Sequence, residues 1–233
     1  MIIGYILHSL GFGIGAQEKG IRVEMKKALI AVLVTMMVFC TAAFAKDGVE
    51  NYSGLGVGFG ISRSNINDGD RYWKTNQLQI SFSDFGFIKR SPVGLFVDVS
   101  IVINTSRVST GGGLPDYTWP ETPIGLMATL GPAFKFETGK KTDIILGVGF
   151  QFYSEKQNHS TYYDECSFMG LGFDVEAAYN VNKDFAITLG ASGSFFFINN
   201  IRMMFPYLSP IDASYDSYIE YRVVPRVMAY YVY

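Results

Sequence analysis

From residue 54 onward, short segments of the chain alternate apolar and polar residues. The last of them, 219–233, sets Ile219, Tyr221, Val223, Pro225, Val227, Ala229, Tyr231 and Tyr233 against Glu220, Arg222, Val224, Arg226, Met228, Tyr230 and Val232. The first set is uncharged, and the second holds every charge of the segment. A period of two predicts a strand whose two faces meet different surroundings. An uncharged outside, a charged inside and an aromatic last residue suit the wall of a barrel in lipid.

Seven earlier segments repeat the pattern, at 54–61, 74–83, 93–103, 124–136, 144–152, 169–179 and 185–197. Each is close to the roughly 9–11 residues that a tilted strand needs to cross a bilayer. Polar links alternate in length between them. Long ones are expected at 62–73, 104–123, 153–168 and 198–218, and short ones at 84–92, 137–143 and 180–184. The expected fold is all-β, an eight-stranded antiparallel up-and-down transmembrane β-barrel preceded by a cleaved signal peptide. One stretch resists the pattern. Phe85 and Phe87 break parity with Phe82, which predicts a bulge or an early turn there.

Residues 25–45 supply the expected leader. Met25-Lys-Lys opens it, Ala28–Phe39 is apolar, and Ala43 and Ala45 form a small-x-small cleavage signal. Residues 1–24 have no role in export and read as an extension upstream of the true start at Met25; residues 46–233 are then the barrel. Cys40 lies in the leader, so Cys166 would stand alone in the mature chain.

Composition agrees with a membrane barrel. Charged residues make up 17% and aromatics 15%, with 25 Gly among the 233 residues. A formal charge of −2 and the lack of a Lys/Arg cluster exclude a nucleic-acid partner.

These features resemble the small eight-stranded outer-membrane barrels of the OmpA-transmembrane, OmpX and OmpW group. The resemblance spans the mature chain through strand count, loop alternation and terminal aromatic. It implies export to the bacterial outer membrane as a monomer, and contact with outer-membrane lipids, including lipopolysaccharide or its equivalent. It also implies handling by the barrel-assembly machinery, with Tyr221, Tyr231 and Tyr233 as the assembly signal; the terminal residue of the group is most often Phe.

Eight strands enclose a lumen wide enough for side chains or one small ligand. The inward set is rich in Gly and Ser and carries Asp98, Asp174, Glu176, Glu220, Arg222 and Arg226. The sixth and eighth strands both flank the seventh, so Asp174 and Glu176 can pair with Arg222 and Arg226. Lumen charges must be paired or hydrated. A salt-bridged plug is the first expectation, and a narrow polar conduit, favoured by the lumen glycines, is the second.

Other motifs read as structure. Gly54-x-Gly-x-Gly-x-Gly60 has strand period and no following helix, so it is a bare strand face and not a nucleotide loop. His159-Ser160 is a loop pair without the geometry of a triad, and Asn67-Asp-Gly-Asp70 is turn chemistry. Tyrosines and tryptophans near strand ends suit interfacial girdles. No enzyme, cofactor or metal is expected. The expected role is envelope support or surface contact, with a host or surface ligand at the loops; the alternative is a narrow channel or carrier for small solutes.

Overall fold

The computed structural model describes residues 48–66, 71–89, 91–111, 116–118, 123–158, 163–204, 211–213 and 219–233. Eight long strands carry the fold: β1 (Val49–Ile66), β2 (Arg71–Ile88), β3 (Val93–Gly111), β5 (Ile124–Glu137), β6 (Thr142–Asn158), β7 (Tyr163–Asn182), β8 (Phe185–Met204) and β10 (Ile219–Val232). Two short strands, β4 (Tyr117–Thr118) and β9 (Ile211–Ala213), pair with β3 and β8.

Each long strand pairs antiparallel with the next, and β10 closes the ring by pairing with both β8 and β1. Ser53 lies opposite Tyr231, and Val227 lies opposite both Val57 and Leu189. Closure leaves no open edge in the ring of eight long strands, which hydrocarbon would penalise at every unpaired N–H and C=O.

Burial follows the period of two. Along β10 exposed and buried residues alternate from Ile219 to Val232 without a break. The outward apolar residues form an exposed belt: Leu55, Val57, Phe59 and Ile61 on β1, Leu130 on β5, Phe150 on β6 and Leu189 on β8. Phe150 is 79% exposed. An apolar surface of this extent needs lipid around it.

The strands are longer than the alternation alone suggested, from 14 residues in β5 and β10 to 20 in β7 and β8. Much of the expected long links at 62–73, 104–123, 153–168 and 198–218 is therefore strand. Beyond the apolar belt the outward residues are largely polar, among them Arg63, Asn65, Lys74, Ser154 and Ser167, so the belt's apolar-outward parity ends there.

The parity break also resolves differently. β2 continues through Phe82 to Phe87 with unbroken register on both sides, and Phe85 and Phe87 are fully buried. They are lumen residues, not a bulge. The irregularities lie at Asn76/Gln77, Met169/Gly170 and Asn180/Asn182.

The glycine face of β1 makes room for β10. A Cβ on Gly56 would lie 2.1 Å from the Met228 sulfur, and one on Gly54 would lie 2.4 Å from the Tyr230 ring. The bare strand is filled by its neighbour's side chains.

Candidate functional site

Buried charged side chains of the described residues converge in the lumen, and β10 ranks them by height. Glu220 and Arg222 stand nearest the end with the longer connectors, Arg226 at mid-height, and Met228, Tyr230 and Val232 nearest the short turns.

At the short-turn end lies an apolar floor of Tyr52, Phe85, Phe87, Phe96, Ile145, Met228 and Tyr230, completed by small residues. Phe85 stacks on Phe96 at 5.5 Å and tilts against Tyr230 at 6.0 Å between ring centroids. Below it opens a mouth of about 560 Å³. There Lys135 pairs with Glu50, while the Tyr52 hydroxyl and Asn180 Nδ2 donate to Asp143 at 3.2 and 2.8 Å.

Arg226 crosses the barrel at mid-height. Its Nη1 donates to Asp98 Oδ2 on β3 at 2.6 Å, and its Nη2 to Glu176 Oε1 on β7 at 2.7 Å and to Asp174 Oδ2. Glu176 also accepts from the Thr188 hydroxyl at 2.8 Å and the Tyr230 hydroxyl at 2.9 Å. Asp98 accepts from the hydroxyls of Ser100, at 2.6 Å, and Ser83. Three carboxylates thus meet one guanidinium, all buried. Asp174 is the least supported, since its second oxygen is buried without a partner.

A second polar group lies above. Arg222 Nε donates to Glu220 at 2.6 Å, and its guanidinium carbon lies 3.7 Å over the Tyr153 ring. The Tyr153 hydroxyl donates to Glu155 at 2.6 Å, as do Arg107 Nη2 and Asn104 Nδ2 at 2.9 Å each. Val102, Met127, Cys166, Phe168 and Phe196 pack around Tyr153.

All six charged residues picked from the sequence thus face the lumen, in a different pairing from that expected. Arg226 takes both acids of β7 and adds Asp98, whereas Arg222 pairs with Glu220 of its own strand, two residues away. Sequence reasoning missed Arg107, Asn104, Tyr153 and Glu155, because the stretches from 104 and 153 read as loops. It also missed the aromatic floor, for which the parity break at Phe85 and Phe87 was the available signal.

Of the aromatic positions, Tyr221, Tyr231 and Tyr233 all face outward and are exposed, with Tyr231 stacked on Tyr233 at 5.6 Å. Ala43, Ala45 and the rest of the leader lie outside the described residues, as do Asn67–Asp70, His159 and Ser160.

No known sequence family and no characterised protein matches the chain by sequence. Solved structures do match in fold. The outer membrane protein OprG from Pseudomonas aeruginosa aligns with a TM-score of 0.52 and 13% identity, over 81% of this chain and 97% of that one. The chain is an outer-membrane-type β-barrel. A major outer membrane protein from Thermus thermophilus aligns with the barrel at a TM-score of 0.51 and 16% identity, over 79% of this chain and 99% of the other. Identity this low speaks for the fold alone, so the role of the barrel rests on its own residues.

Proposed function

We propose that the barrel is a non-enzymatic platform of the bacterial outer membrane, closed through its lumen and carrying its longer connectors as a surface for contact with an external ligand. The observation that carries this reading is Arg226, buried at mid-height and tied to Asp98 on one side and to Asp174 and Glu176 on another. With the aromatic floor on one side and the Tyr153 group on the other, side chains fill the cross-section where a solute would pass. The strands also run on past the apolar belt, which supports a raised, ordered rim. In this reading the assembly machinery engages the outward Tyr221, Tyr231 and Tyr233 before insertion.

A second reading, a narrow conduit, draws support from one fact. Both polar atoms of Gln77, the Gln151 oxygen and Arg222 Nη1 are buried with no protein partner, which leaves places for water. Conductance across a planar bilayer separates the two. The closed platform gives no steady current steps after insertion of the refolded protein. Steady steps that Arg226→Ala enlarges would overturn it in favour of the conduit.

A further inference from the structure

On the outer wall, just beyond the apolar belt, two cations face each other directly. Arg63 on β1 is the register partner of Lys74 on β2. Like charges at directly opposed positions destabilise a sheet, so the pairing calls for another reason. Both converge on one ring: the Arg63 guanidinium carbon lies 3.9 Å from the Tyr72 centroid, and Lys74 Nζ lies 5.5 Å from it.

Both side chains are exposed, and neither has a carboxylate partner among the described residues. The buried cations behave differently: Arg107, Lys135, Arg222 and Arg226 each hold a carboxylate within the barrel. Outward neighbours at this height are Asn65, Asn76, Ser106, Val108 and Tyr221, all uncharged.

Height decides what meets the pair. Ile61 is the last outward apolar residue of β1, and Arg63 follows two positions on, about 7 Å along the strand. That is headgroup depth, where a tyrosine ring is at home and a cation meets lipid phosphate. This end carries the longer connectors, and both Val49 and Val232 lie at the opposite end, so the pair belongs to the outer leaflet.

We infer that Arg63 and Lys74, held over Tyr72, form a clamp for the phosphate group of an outer-leaflet lipid. A guanidinium offers a fork of donors to phosphate oxygens, and the ammonium adds a point charge. The anion removes the repulsion between them.

The test compares urea midpoints of the refolded protein in zwitterionic micelles, with and without a phosphorylated lipid A glycolipid. In plain micelles the Arg63→Gln/Lys74→Gln variant unfolds at the same urea concentration as the wild type or a higher one. The glycolipid raises the midpoint of the wild type and of Lys141→Gln at the opposite end, and leaves the double variant where it was. Direct titration shows about 30-fold weaker glycolipid binding by the double variant. An equal rise in the double variant overturns the clamp. So does a wild-type rise of the same size with dephosphorylated glycolipid, which places the contact on sugar or acyl chain. A rise produced by millimolar inorganic phosphate alone overturns the lipid source and leaves a free-anion site.

Discussion

Removing Arg226 tests the description of the lumen most directly. Among the described residues the guanidinium is the one cation bonded to Asp98, Asp174 and Glu176, and its side chain is 1% exposed. Arg226→Met keeps most of the volume and leaves three carboxylates without it. Breaking a buried ion pair from one side costs about 3–5 kcal/mol, and the upper end applies here because three acids lose their cation. The acids are unequally protected. Glu176 keeps Thr188 and Tyr230, and Asp98 keeps Ser83 and Ser100, whereas Asp174 is left with no side-chain hydrogen bond. Asp174→Asn alone removes one of the acids in excess and should cost less than about 1 kcal/mol. Placed in the Arg226→Met background, it should recover about 1–2 kcal/mol. Urea unfolding of the refolded barrel, followed by heat-dependent gel mobility and tryptophan fluorescence, measures all three. An Arg226→Met barrel within about 1 kcal/mol of wild type, or an Asp174→Asn loss as large as the Arg226→Met loss, would refute the reasoning.

The remaining predictions concern packing and pairing. Gly56→Val drives a side chain into Met228 and the Val227 carbonyl and should cost about 3 kcal/mol or more, or abolish the gel shift; Gly193→Ala, whose added carbon finds its first neighbour at 3.6 Å, should fold as wild type. Arg222 and Asp174 share no contact, so Arg222→Ala and Asp174→Ala should add to within about 0.5 kcal/mol in a double-mutant cycle. Cys166 is buried beside Tyr153 and Phe168, so maleimide should label it only after unfolding.

Much of the barrel was legible because lipid outside and packed polar groups inside impose a period of two on every strand that crosses. All eight long strands contain an alternating segment found from the sequence. What lies beyond the belt was not legible. On β7 the outward residues beyond the belt, Glu165 and Ser167, are polar, and the apolar Cys166 and Phe168 face inward, so the sense of the alternation is reversed there. The lumen charges were legible as a set and not as pairs. Ring order places β7 two strands from β10, but which rung of a tilted strand an arginine reaches depends on stagger, which composition does not encode. Arg226 therefore meets both of the acids expected to pair with the two arginines, while Arg222, two turns of the pleat along the same face, meets neither.

The first and last strands show where composition does encode a contact. β1 presents Gly54, Gly56, Gly58 and Gly60 inward, and β10 presents Val224, Arg226, Met228 and Tyr230. Positioned Cβ atoms on those glycines collide in turn with Tyr230, Met228 and, for the last two, Val224. A bulky strand beside another bulky strand would overfill an eight-stranded lumen, and a bare strand beside a bare one would leave a void, so each face is intelligible only through the other. The glycines that invited a conduit reading make the closing seam tight. The same stripe also lets the Arg226 stem pass over β1 toward Asp98 without meeting a side chain at Gly58. Enlarging Gly58 should therefore weaken the Arg226 network as well as the seam. Gly58→Val and Arg226→Met should cost less together than the sum of the two alone, by at least about 1 kcal/mol. Strict additivity would mean that the seam and the charge network are independent.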